Sequence, residues 1–223
     1  KYQNLNEGAV TDHIPELATM DPQWFGICVV TPNGQVYEVG DSKHTFTLQS
    51  ISKACVFGLA LEDWGRDYVN SKVSVEPSGE LYSSIVLDEA TNRPFNPMVS
   101  SGAIATTDLI TGNGAKERLK RILAMFKRYT GRELDVNVPV FLSEKATGNR
   151  NRAIAYLMLN FGMVSDKIDE TLDLYFQQCS LMVNAQDLAM IGATLANGGV
   201  NPVTQERALD DHYVQDVISV MLT

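Results

Sequence analysis

Phe46-Thr47-Leu48-Gln49-Ser50-Ile51-Ser52-Lys53-Ala54-Cys55-Val56-Phe57-Gly58-Leu59-Ala60-Leu61 is the stretch over which the chain changes its period. From Ile51 to Asp63 the residues are apolar at helical length, and Gly65 offers a C-terminal stop. Upstream the pattern is β. Trp24 to Thr31 is an apolar, β-rich run, Pro32-Asn33-Gly34 follows, and Gln35 to Val39 alternates polar and apolar residues. This predicts a hairpin over about 24–39, with Asn33-Gly34 supplying the positive φ angles of a tight turn. Downstream, residues 66–100 are rich in Pro, Ser and Asn and predict only short ordered pieces. Helical spacing then recurs at 103–109, 115–129, 151–161, 170–179, 186–197 and 210–223. Asn184 is the cap of the fifth of these stretches, and Gly198-Gly199 ends it.

A two-stranded hairpin is marginal alone, yet no strand is predicted after residue 40. The chain also begins without Met and stops at Val220-Met221-Leu222-Thr223, inside an uncapped apolar pattern. The expected fold class is α+β or α/β, an antiparallel sheet plus a helical domain, with further sheet strands lying beyond Thr223. Residues 1–49 would form the N-terminal part of the sheet domain and residues 50–223 the mainly helical domain.

The 223 residues are 44% hydrophobic, enough to bury one good core. Acidic residues outnumber basic ones 27 to 18, a formal net charge of -9. That balance argues against nucleic acid or an anionic membrane as partner, because phosphate binding needs a basic surface. The basic cluster from Lys116 to Arg128 is interrupted by Leu119, Ile122, Leu123, Met125 and Phe126 at helical spacing, and reads as the solvated face of an amphipathic helix. Cys28, Cys55 and Cys179 read as reduced core residues. His13, His44 and His212 lie far apart, so no zinc motif is legible. No run approaches a membrane span and the first residues do not resemble a signal peptide. The expected protein is cytoplasmic and needs no metal or organic cofactor.

Ser50-Ile51-Ser52-Lys53 is a Ser-x-x-Lys motif at the start of the apolar helix. One turn of helix points both side chains the same way. A partly desolvated lysine loses its proton more easily and accepts one from serine. The helix N-terminus adds backbone N–H groups that favour a developing oxyanion. A second reading fits the same four residues: Ser50 as an N-cap and Lys53 as a surface cation.

The surrounding motifs weigh between the two. Phe46 through Lys53 resembles the nucleophile motif of the bacterial and mitochondrial glutaminases, which are serine-dependent. Asn96-Pro97-Met98-Val99-Ser100-Ser101-Gly102-Ala103-Ile104 is similar to that family's Asn-Pro-Met-Val-Asn-Ala-Gly-Ala-Ile. Glu144 to Asn151, with Gly148, Asn149 and Arg150 between, resembles its Glu-x-x-x-Gly-Asp-Arg-Asn loop, and Tyr175-Phe176-Gln177-Gln178-Cys179-Ser180 its Tyr-Phe-x-x-Cys-Ser helix. Order and approximate spacing agree from about residue 8 to the end.

The resemblance implies a serine β-lactamase-like fold, whose antiparallel sheet is built from both chain ends, and hydrolysis of L-glutamine to L-glutamate and ammonia. Ser50 would be the nucleophile, Lys53 its base, and Tyr175 a substrate-contacting residue that assists proton transfer. Glu144 and Asn151 would hold the α-amino and α-carboxylate groups, an ammonium wanting a carboxylate and a carboxylate wanting donors. Taken singly, Glu144 also reads as a solvated loop charge, Asn151 as a helix-start residue and Tyr175 as half-buried packing. The family forms homo-oligomers, so a dimer or tetramer is expected.

Ser100 stands where the family carries a substrate-binding Asn, which shortens an amide contact to a hydroxyl, and His13 where it usually has Tyr before Ile-Pro. Two later family motifs have no counterpart here: one with an assisting tyrosine, and a Lys-Ser-Gly strand with an oxyanion-hole N–H. Losing one such donor costs about 10²–10³ in rate. A β-lactamase or penicillin-binding relative would share Ser-x-x-Lys, but Ser180-Leu181-Met182 does not supply the Ser-x-Asn expected of it. A non-catalytic homologue that binds an amino acid or serves assembly is the remaining alternative.

Overall fold

The computed structural model describes residue 5 and residues 7–222. Strands β1 (Gly26–Val30) and β2 (Val36–Gly40) pair antiparallel in the register Gly26↔Gly40 to Val30↔Val36. The turn differs from expectation in one respect. Only Gly34 takes a positive φ, 84°, while Pro32 and Asn33 form the body of a turn closed by Gly34 N–H donating to Thr31 O at 2.9 Å. Proline pre-sets the first of these positions, so a single left-handed glycine suffices. Helix α7 (below) covers the hairpin through β1, whereas Ile27, Val29, Tyr37 and Val39 remain exposed.

Phe46–Thr47 forms β3, a single 3-10 turn spans Gln49–Ile51, and helix α1 runs from Ser52 to Lys72. Gly65 does break α1, at φ 74° and ψ 165°, but the chain resumes helix to Lys72 instead of stopping. Every residue from Ser52 to Leu61 is buried, so the apolar run is a central helix wrapped on all sides. Gly58 permits that: a Cβ there would stand 3.0 Å from Leu209 and 3.2 Å from Val217.

The remaining helices are α2 (Ser100–Asp108), α3 (Ala115–Thr130), α4 (Val138–Thr147), α5 (Asn149–Asn160), α6 (Ile168–Cys179), α7 (Ala185–Ala196) and α8 (Asp211–Leu222). The last residue of the predicted C-terminal segment, Thr223, lies outside the described residues. Asn184 caps α7 in a reciprocal capping box with Asp187, as its position in the sequence suggested. Helix α4 was not expected, and β4 (Met182–Val183), which pairs with β3, is too short to show a period. One core gathers α1, α3, α7 and α8; a second gathers α2, α5 and α6. The α+β class is therefore present. Among the described residues the strands form only two two-stranded sheets, and no helix is long and apolar enough to cross a membrane.

Two sequence expectations fail on burial. Cys55 and Cys179 are buried, but Cys28 on the hairpin is only partly so; all three are free thiols. Lys116, Lys120 and Lys127 do lie on a solvated face of α3, whereas Arg118 is 4% exposed. Its guanidinium donates to the carbonyls of Thr107, Asp108 and Ile110 and to Glu170 at 2.9 Å. It thus satisfies the carbonyls that the end of α2 leaves open. Arg118→Ala is expected to lower stability by about 3–5 kcal/mol, because it strands these acceptors in the interior. A urea midpoint that stays put would contradict this.

Candidate active site

The two cores meet around a cavity of about 810 Å³. All six predicted site residues line it: Ser50, Lys53, Ser100, Glu144, Asn151 and Tyr175. They come from five helices and the turn before α1, so residues up to 125 positions apart in the sequence converge on one space. His13 also borders the cavity, with Nδ1 2.6 Å from Thr11 Oγ1.

Ser50 is exposed to the cavity from the 3-10 turn. The residue before it, Gln49, holds φ 52°, which a non-glycine side chain rarely adopts. Strain of this kind collects at functional sites, where surrounding structure enforces it. Lys53, on the first turn of α1, is 2% exposed, which removes the surface-cation reading. Its Nζ donates to Met98 O at 3.0 Å and lies 5.4 Å from the centre of the Tyr82 ring. Burial pulls its pKa below the usual lysine value, against an opposing pull from Cys179 and Glu144. A neutral amine is what a base for serine requires.

Ser100 opens α2. The Asn96 side chain accepts from Met98 N–H at 2.9 Å and Val99 N–H at 3.2 Å and donates to Glu76 O at 2.9 Å, which fixes the approach to that helix. Gly102 lets the loop lie against the helix, since a Cβ there would stand 1.9 Å from Asn96 O. The Asn-Pro-Met-Val-Ser-Ser-Gly run is therefore a backbone device that delivers Ser100, whose N–H donates to Tyr82 O at 2.8 Å.

Glu144 is neither solvated nor in a loop: it sits on α4 at 8% exposure. Its Oε2 is buried without a hydrogen-bond partner among the described residues. Burial pushes its pKa up to about 7, with Lys53 holding it down. Asn151 lies in the first turn of α5, two residues past the α4–α5 joint at Gly148 and Asn149. Gly148 is needed at that joint because a Cβ would press on Phe176 at 2.7 Å. Tyr175 is 4% exposed, more buried than the packing alternative assumed, and it lines the cavity together with Ser50 and Cys179. Burial raises its pKa well above the ordinary phenol value, so it stays protonated at neutral pH.

The cavity thus offers a nucleophile, a buried amine, a phenol, and an unpartnered carboxylate facing amide and hydroxyl donors. Such a set suits a small zwitterion with a reactive carbonyl. Sequence reasoning missed Gln49, Tyr82, Arg150 and Cys179 as walls of the cavity. Gln49, Arg150 and Cys179 sit inside the recognised motifs, but nothing in the irregular 73–99 segment singles out Tyr82.

A family model described as Glutaminase matches residues 8–223. The glutaminase of Microcystis aeruginosa is 74% identical over 223 residues, covering all of this chain and 66% of its own length. The chain therefore spans about two thirds of that curated relative. A solved structure described as the probable glutaminase ybaS superposes with a TM-score of 0.95 at 40% identity, over 99% of this chain and 72% of its own. A structure of Mglu in a tris and glutamate form gives a TM-score of 0.93 at 37% identity, over 98% of this chain and 49% of its own.

Proposed function

The chain belongs to the glutaminase family, and from that premise we propose that the intact protein hydrolyses L-glutamine to L-glutamate and ammonia through an acyl-enzyme on Ser50. The observation that carries this reading is one cavity holding Ser50, the buried Lys53, and Glu144 with its unpartnered Oε2. The α-ammonium of glutamine would take Glu144 as partner, and Asn151 and Ser100 would donate to its α-carboxylate. That fixes the side-chain amide against Ser50. Ser50 Oγ attacks the amide carbon while its proton passes to Lys53. The C–N bond then breaks, the nitrogen takes that proton and leaves as ammonia, and a γ-glutamyl ester remains. Water attacks the ester, gives its proton through Lys53 back to Ser50, and releases glutamate. Backbone N–H groups at the start of the helix favour the oxyanion. The chemistry needs no metal or organic cofactor.

The serine β-lactamase-like arrangement belongs to the same proposal: residues 1–49 contribute to a sheet larger than the observed hairpin, and residues 50–223 to the helical domain. The exposed Ile27, Val29, Tyr37 and Val39 supply an apolar face for it. So do a cytoplasmic location and a homo-oligomeric state, with no nucleic acid or membrane partner.

The test is ammonia release by the intact protein from L-glutamine, with L-asparagine and a β-lactam as rivals. Turnover of glutamine alone among the three is the expected result. Hydrolysis of the β-lactam without glutamine turnover would overturn the reading. Tight glutamine binding without turnover would favour the non-catalytic homologue.

A further inference from the structure

The groups assigned to the two ends of the substrate zwitterion sit on different helices, and a side chain outside the cavity ties those helices together. Helix α4 carries Glu144 and α5 carries Asn151. A single residue, Gly148, separates the two helices, with ψ at 35° where a helix would hold about -40°. Two helices joined through the soft dihedrals of one glycine have no fixed angle of their own. That angle sets the separation of the groups that would take the α-ammonium and the α-carboxylate.

Arg152, the residue after Asn151, reaches back across this joint. Its Nη2 donates to Lys145 O, in the last turn of α4, where a helix leaves its carbonyls without intrahelical donors. Its Nη1 donates to Asn149 Oδ1 at 3.4 Å, and its backbone N–H to Gly148 O at 3.1 Å. Lys145 is also held from a second side, because Nζ pairs with Asp173 Oδ2 of α6 at 2.7 Å. Lys145 thus joins α4 to α5 through its carbonyl and to α6 through its ammonium. These are the helices of Glu144, Asn151 and Tyr175. Lys145, Arg152 and Asp173 are not among the described residues that line the cavity. A guanidinium suits this place: it stays charged at every working pH and only donates, so its hold on a carbonyl does not titrate.

We propose that Arg152 is a positioning residue for substrate binding: by tying α5 to the last turn of α4 it fixes the separation of Glu144 and Asn151, and with it the preference for a substrate bearing both an α-ammonium and an α-carboxylate. The proposal rests on the reading of those two residues as partners of the zwitterion. It assigns Arg152 no contact with the substrate.

The test measures kcat, KM and thermal midpoint for L-glutamine hydrolysis in Arg152→Ala, Arg152→Lys and Asp173→Ala variants of the intact protein, and repeats Arg152→Ala in a Glu144→Gln background. The expected result is a KM about tenfold higher in Arg152→Ala with kcat within about twofold, since the reacting groups on and before α1 are untouched. Arg152→Lys stays within about threefold of the parent KM, because an ammonium also donates to a carbonyl. Asp173→Ala, which removes only a partly exposed ion pair, raises KM by about two- to threefold. In the Glu144→Gln background Arg152→Ala costs less than about twofold in kcat/KM, because no pair of groups is left to be spaced. Equal losses in the two backgrounds would make Arg152 a general support of the fold and would overturn the proposal. So would a loss confined to kcat, or a parent-level KM in Arg152→Ala. Where Arg152→Ala does not fold, a parent-level KM in Asp173→Ala overturns it instead. Parent-level kcat/KM in Glu144→Gln would overturn the zwitterion reading on which the proposal stands.

Discussion

Replacement of Ser50 by alanine is expected to abolish glutamine hydrolysis, by roughly 10⁴–10⁶ in kcat, the range seen when a serine nucleophile is deleted from a concerted set. The loss is large because nothing nearby can substitute. Cys179 is the one thiol on the cavity, and burial keeps it protonated and 2% exposed. Ser50 is exposed to the cavity, so losing its hydroxyl removes no core packing and the thermal midpoint is expected to stay within about 1 kcal/mol of the parent in stability. Glutamine binding is expected to survive, because the groups assigned to the α-ammonium and α-carboxylate are untouched. Residual turnover above a hundredth of the parent rate would contradict the assignment. Calorimetry of the Ser50→Ala variant with glutamine distinguishes lost chemistry from lost binding.

The second large effect belongs to Glu144→Gln. The substitution keeps shape but removes the one carboxylate offered to a substrate ammonium, and loss of a buried charge partner costs about 2–5 kcal/mol. A fall in kcat/KM of roughly 10²–10³ is expected. The pH dependence follows from the burial of this residue. With a pKa of about 7 in the empty cavity, Glu144 is half protonated at neutral pH. Substrate capture needs the ionised form, so kcat/KM rises with pH through about 7 and the rise is expected to vanish in Glu144→Gln.

Stability responds in the opposite sense. The folded pKa of about 7 lies above the ordinary 4.5, so between those values the folded state binds more protons than the unfolded one. Stability must therefore fall as pH rises through that window. At pH 8 the empty Glu144→Gln protein is expected to be more stable than the parent by about 2 kcal/mol. At pH 4 the two are expected to be equal. Urea unfolding at both pH values checks this, and equal stability at pH 8 would place Glu144 in solvent.

These expectations rest on a site that was largely legible in the sequence, and the reasons are specific. The hairpin follows from a turn triplet between two β-rich runs, and α1 from an apolar stretch too long for a strand. Asn184 announces α7 because a cap is local chemistry. Helix α4 was legible in principle from Asn137, whose Oδ1 accepts from Val140 N–H at 3.0 Å, with Pro139 in the first turn. It lacks the sharp amphipathic stripe that marks α3, so its period does not stand out. The β3–β4 pair, two residues on each side, carries no period at all.

The wall formed by Tyr82, the strained φ of Gln49 and the burial of Arg118 arise only from tertiary contact. Arg118 looked like its solvated neighbours until the end of α2 came to rest against it. Cys179 stood in one recognised motif and Ser52 in another, and nothing in either spacing says that the sulfur comes to lie 3.9 Å from Ser52 Oγ.

The central claim is a covalent bond between Ser50 and the γ-carbonyl of glutamine. It is tested most directly by acid-quenching the intact protein during turnover and mapping the acylated residue by peptide mass. The account predicts a γ-glutamyl adduct on the peptide containing Ser50, absent from Ser50→Ala and discharged by water with release of glutamate. An adduct on any other residue would contradict it, as would steady ammonia release with Ser50 never acylated.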